Sequence, residues 1–266
     1  MPSGRLRFRV LLLASLLLAR DANAQIPPAS PLGILSIPAS QVPQGASNAV
    51  GIHTRLDVSS GRVGPVRADL LATVSNWDRV ELTAAVPLRF DGTSRIAVAP
   101  LHLDGKLVLR RRPEDARGFG VALRLGSDLP FDDIARARFT VELGIVADLR
   151  FARDILLAAH LALAGSARYR VEDRAFQSIA WGLGLRVPLS TNLALLGELW
   201  GRTAFPGSIA TEAEASAGLQ ARIDRVYLTG SAGVSLADGA LLFRLAAHVG
   251  GGEGWLPPSE RDDVEP

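Results

Sequence analysis

Four histidines, one serine near one of them and a pair of closely spaced glutamates are the residues whose types could do chemistry in this 266-residue chain. His53, His102, His160 and His248 could serve as general bases or as ligands of a zinc-like ion. Ser166 follows His160 by six residues. On one extended strand that is about 20 Å at ~3.3 Å per residue, too far for a nucleophile to meet its base. Glu212 and Glu214, at i and i+2, share one face of a strand and repel unless Arg222 or another arginine on that face offsets them. Such a pair balances charge or forms a selectivity patch. Gly118, Gly120, Gly126, Gly182 and Gly184 lie inside alternating segments, where they serve as bends and relief of crowding in a curved sheet rather than as a phosphate loop. No catalytic, cofactor-binding or metal-ligating set emerges, and no enzymatic activity is expected.

The elements that carry these residues are strands. In Val50 to Val58 one parity holds Val50, Ile52, Thr54, Leu56 and Val58, and the other Gly51, His53, Arg55 and Asp57. That two-residue period recurs near 49–58, 65–75, 79–90, 98–110, 118–127, 137–149, 155–167, 177–189, 193–203, 211–222, 226–236 and 240–250. Each segment approaches the ~9 to 11 residues with which a tilted strand crosses a bilayer. Asp78, Asp115, Asp154, Asn192 and Asp224 fall in polar connectors 37, 39, 38 and 32 residues apart, the repeat of a hairpin pair. Longer polar stretches alternate with them. Short turns at one end, long loops at the other and an even strand count predict an all-β, closed, antiparallel up-and-down transmembrane barrel of about twelve strands, with ten to twelve compatible with the pattern.

Charge decides which solvent each face meets. The polar parity of these strands carries Arg55, Arg67, Asp69, Glu81, Arg89, His102, Asp104, Lys106, Arg124, Arg138, Glu142 and Asp148 in the first half. The second half adds His160, Arg168, Arg186, Glu198, Arg202, Glu212, Glu214, Arg222 and Arg244. All are expected to line the lumen. The opposite parity is almost free of charge, as in Leu82, Ala84, Val86 and Leu88, in Phe139, Val141, Leu143 and Ile145, and in Val226, Leu228, Ala232 and Val234. A soluble sandwich would show water a polar face rich in lysine and asparagine. This chain has a single lysine, Lys106. Phe90, Phe119, Phe139, Phe151, Phe176 and Phe205 are the candidate interfacial anchors.

Arg5, Arg7 and Arg9, the apolar run Val10 to Ala19, and Ala22-Asn23-Ala24 before Gln25 read as a secretory signal, residues 1–24, cleaved after Ala24. Residues 25–48 hold Pro27, Pro28, Pro31, Pro38 and Pro43 and are expected to be a periplasmic tail or plug. Residues 49–250 form the barrel and 251–266 a flexible acidic tail. The formal charge of +2 changes once the leader is removed: 29 bases less 4 face 27 acids less 1, or 25 against 26. A near-neutral mature chain argues against nucleic-acid binding. Without cysteine, it has neither disulfides nor thiolate metal sites.

The run Asp78-Arg79-Val80-Glu81-Leu82-Thr83-Ala84-Ala85-Val86-Pro87 resembles an element of the MetA-pathway-of-phenol-degradation, or transporter-like, family of outer-membrane barrels, where a short turn launches a strand ending in Val-Pro or Ile-Pro. Gly120 to Gly126, Gly182 to Pro188 and Leu193 to Gly201 look similar. The same run is similar to the N-terminal barrel of some large OmpA-family proteins. The resemblance implies a single-chain barrel of about twelve strands and passage of small hydrophobic compounds. The reading is therefore a porin-like, channel or transporter-like protein of the Gram-negative outer membrane. Its partners are outer-membrane lipid and a small solute, with no cofactor and no nucleic acid, and the oligomeric state is open. A closed structural barrel without transport is the alternative, and an outer-membrane barrel enzyme the third reading.

Overall fold

The computed structural model describes residues 47–59, 62–77, 79–90, 96–98, 100–111, 117–129, 138–151, 155–168, 176–204 and 212–251. The expected leader, most of the proline-rich segment, the acidic tail beyond Gly251, the turn residues Asp78, Asp115 and Asp154, and Phe205 lie outside them.

Alternation produces strands throughout. They are β1 (Ser47–Ser59), β2 (Arg62–Val63), β3 (Val66–Trp77), β4 (Val80–Phe90), β5 (Ile96–Val98), β6 (Leu101–Arg110) and β7 (Gly118–Leu129). They continue as β8 (Arg138–Phe151), β9 (Ile155–Arg168), β10 (Phe176–Pro188), β11 (Leu193–Ala204), β12 (Glu212–Ile223), β13 (Val226–Ser235) and β14 (Leu241–Gly251). Twelve are long, and β2 and β5 are short additions. Each long strand pairs antiparallel with its neighbour in sequence, and β14 pairs back onto β1 from Asn48↔Gly251 to Val58↔Leu241. The sheet is a closed antiparallel twelve-stranded barrel. Closure leaves no edge whose amides lipid would have to satisfy.

The segment expected as one strand at 98–110 is two. Leu88 faces Val98 on β5, whereas Ala85 faces His102 on β6, so three residues of β4 span four of the partner. Pro100 lies in that extra step and has no N–H for the ladder.

Both described chain ends lie at one end of the barrel, because Asn48 faces Gly251. The connections there are short, such as 189–192 between β10 and β11 and 224–225 between β12 and β13. Asp224 has φ 52°, the left-handed region that a two-residue hairpin turn demands and that aspartate tolerates. At the other end, β13 and β14 are joined through Gly239 at φ 71°, whose N–H donates to the Ser235 carbonyl at 2.9 Å.

Burial follows the parity. On β8, Val141, Leu143 and Ile145 are exposed while Glu142, Gly144, Val146 and Asp148 are buried; on β9, Leu161 and Leu163 are exposed, the latter at 61%. In water so many exposed leucines would be a large unpartnered apolar surface. Around a barrel they form the band that hydrocarbon covers. Leu156, Ala158, Leu196 and Trp200 pack together on the inner side of β9 and β11, across the glycines Gly182 and Gly184 of β10.

Candidate functional site

The inner parity concentrates the charge. Of the residues singled out from sequence, Glu81, His102, Lys106, Arg124, Glu142, Asp148, Glu198 and Glu214 are buried. Arg55, Arg67, Asp69, Arg89, Asp104, His160, Arg186, Arg202, Arg222 and Arg244 are half-buried. Glu212 is exposed where β12 begins, and Arg138 and Arg168 stand opposite each other in the β8–β9 register.

Two ion-pair groups organise this face. In the first, Glu214 of β12 accepts from Arg55 of β1, Nη1 at 3.1 Å and Nη2 at 2.5 Å, and from Arg244 of β14. Trp200 Nε1–H donates to the same carboxylate at 3.1 Å. Arg55 also donates through Nε to Asp57 at 2.7 Å, and Arg244 reaches Glu198 at 3.5 Å. In the second, Arg124 of β7 lies between Asp104 of β6, its Nε partner, and Glu142 of β8 at 2.8 Å. Arg202 of β11 meets the other Glu142 oxygen at 3.4 Å. The lone lysine pairs with Glu81, directly opposite on β4, at 2.9 Å.

Arg55–Glu214 and Arg202–Glu142 each join strands three places apart in the ladder. Only the concave side offers so short a path. Low local dielectric strengthens such pairs and makes removal of one partner costly. Arg222 does not offset the glutamates of β12: its Nε donates to the Asp224 carbonyl at 3.0 Å and its guanidinium stacks 5.6 Å from the Tyr227 ring. For Glu214, Arg55 and Arg244 do so instead.

The histidines fall into three environments. His53 and His248 stack across the closing seam, ring centroids 4.6 Å apart and 12° from parallel, with their Nε2 atoms in contact. Gly51 makes this possible, since a Cβ there would stand 2.2 Å from His248 Cδ2. His102 Nδ1 bonds Asp128 at 2.7 Å, with Asp104 at 3.8 Å from its other nitrogen. His160 lies over Gly144, 3.7 Å from Glu142 and 3.4 Å from Arg124. Among the described residues no imidazole bonds a hydroxyl, and no three metal-ligating side chains converge. The set can sort ions by field; no nucleophile is placed against a base.

Sequence reasoning missed the tryptophans. Trp181 faces outward over Gly201, where a Cβ would approach its ring to 2.6 Å, and donates Nε1–H to Thr203 at 3.3 Å. It covers a strand glycine and keeps its polar edge bonded. Trp200 braces Glu214 from within. The signal was available in pairing: Trp181 stands opposite Gly201, and Trp200 opposite Glu214.

Comparison with known proteins places the fold. No family model matches the chain, nor does any curated protein. Among solved structures, an outer-membrane channel of Pseudomonas putida F1 is similar at TM-score 0.55 and 14% identity, over 79% of this chain and 97% of that one. The KdgM porin in complex with disordered oligogalacturonate is similar at TM-score 0.56 and 6% identity, over 76% and 98%. The chain has the fold of outer-membrane β-barrels. At such identities the likeness reaches the architecture and stops there.

Proposed function

We propose that the protein is an outer-membrane channel or transporter-like barrel, exported through the signal at residues 1–24, that admits small solutes along a lumen of arginines and acids. The observation that carries this reading is the closed sheet with mixed-sign side chains held on its inner parity and leucine-rich surface on the outer one. Interior charge is costly unless it is used or paired, and charged rings sort solutes by sign and by the cost of dehydration. The sequence resemblance to the phenol-degradation barrels supports passage of small hydrophobic compounds as one class of cargo. Single-channel recording in planar bilayers tests the reading: discrete conductance steps from folded protein are expected.

A second reading has its own observation. Arg55–Glu214 and Arg202–Glu142 cross the interior between non-adjacent strands, as struts of a closed structural barrel would. Absence of conductance at every voltage and pH, with folding shown by heat-dependent gel mobility, would select it. Neither reading assigns catalysis. Folded protein incubated with labelled phospholipid, lipopolysaccharide or peptide is expected to release no product, and turnover lost in His160→Ala would overturn that.

A further inference from the structure

Arg244, Arg55, Arg67 and Arg89 form one register row across β14, β1, β3 and β4: Arg244 is opposite Arg55, Arg55 opposite Arg67, and Arg67 opposite Arg89. All four share the inner parity. With strands ~4.8 Å apart, the row spans about 14 Å of the wall. Like charges directly opposite destabilise a sheet. A row of four is therefore kept against its own cost.

The compensation is uneven along it. Arg55 and Arg244 are held by Glu214, with Asp57 and Glu198 in support. Among the described residues, the one ion pair of Arg67 is a 3.9 Å approach to Asp57, and its Nε is buried with no hydrogen-bond partner. Asp69, two residues on along the same face of β3, has a buried Oδ1 that is likewise without a hydrogen-bond partner among the described residues. Arg89 makes no ion pair among the described residues. Arg67 is the second residue of β3 and Arg89 the penultimate one of β4, which places the undersatisfied half at the end opposite Asn48 and Gly251.

We propose that this row is a binding track for a small organic polycarboxylate, entered at Arg67 and Arg89 and continued by Arg55 and Arg244. The route through the barrel rests on the channel reading; the binding does not. Guanidinium forks match carboxylates bidentately and stay charged at every working pH, whereas the single lysine lies outside the row. Adjacent forks, one strand apart, suit a molecule bearing two or three carboxylates.

Citrate is the probe, and the protein is purified from membranes and incorporated into planar bilayers under a KCl gradient. The expected results are a reversal potential of the sign set by anions and block of the current by citrate. In the double variant Arg67→Gln/Arg89→Gln the blocking concentration should rise at least tenfold and the anion preference fall. Arg67→Lys/Arg89→Lys should keep the preference but bind citrate more weakly. Cation preference in the wild type, or equal block in wild type and the Gln variant, overturns the proposal. If the wild type carries no current, the channel reading fails by itself, and calorimetry on detergent-folded protein decides the track. Citrate binding that drops at least tenfold in the Gln variant upholds it, and no binding overturns it. Because the row opposes folding, the Gln variant should melt no lower than wild type. Failure of that variant to fold would contradict the uneven compensation on which the proposal stands.

Discussion

Replacing Glu214 by glutamine removes the one carboxylate shared by two arginines that face each other across the seam where the barrel closes. Arg55 and Arg244 are directly opposite, and Glu214 receives three of their N–H groups as well as the Trp200 indole. A glutamine of the same shape keeps the indole bond but leaves two guanidinium charges side by side. Breaking a buried pair costs about 3 to 5 kcal/mol. Arg55 keeps 21% of its side chain exposed, so water screens part of the repulsion, and the low end, about 3 kcal/mol, is expected here. That is roughly a 150-fold change in the folding equilibrium at ~1.4 kcal/mol per decade. Urea titration of the protein in lipid vesicles, read by heat-dependent gel mobility and tryptophan fluorescence, measures it. Glu212→Gln, on the same strand but exposed, is the control and should stay within about 0.5 kcal/mol of wild type. The double variant Glu214→Gln/Arg244→Gln removes the facing charge and should recover part of the loss, a coupling of about 1 to 3 kcal/mol. Glu214→Gln as stable as the Glu212 control would refute the view that this carboxylate holds the seam.

Gly51→Val should destabilise the same seam by about 1 to 3 kcal/mol in chemical denaturation, because its Cβ would collide with the His248 ring; Gly197→Ala, with nothing within 4 Å, should be near neutral. Leu143→Arg, at the centre of β8 and exposed, should cost about 2 to 4 kcal/mol in vesicles, while Leu193→Arg at a strand end should cost about 0 to 1. Trp181→Ala should lower the melting temperature by exposing Gly201 and should remove an emission component quenched by lipid-borne bromine; Trp200→Ala should leave that quenching unchanged.

The strands were legible because lipid and an enclosed interior impose period two without interruption. The strand β9 shows it: the expected 155–167 is Ile155–Arg168. The reading failed where backbone chemistry broke the period. Pro100 split an expected strand, and at β6 the register slips between Val108 and Arg110, which turns Arg110 over the Phe119 ring at 3.8 Å. Partners across the barrel were illegible for another reason. Arg202 meets Glu142 because of the shear that closes the sheet, and shear is a property of the whole ring rather than of any hairpin. Adjacent registers were closer to reach: an even-stranded closed barrel sets its first and last strands side by side and with them His53 and His248, but the gap at Gly51 that lets the rings stack is a matter of exact register.

The central claim is that lipid solvates one parity of every strand and the enclosed interior the other. The chain has no cysteine, so single cysteines placed one at a time from Val141 to Asp148 give unambiguous nitroxide labels in protein reconstituted into vesicles. Collision rates with oxygen should peak at 141, 143, 145 and 147 and those with a water-soluble nickel complex should not. A flat profile, a period near 3.6 residues, or oxygen access greatest at 142 and 144 would contradict the account.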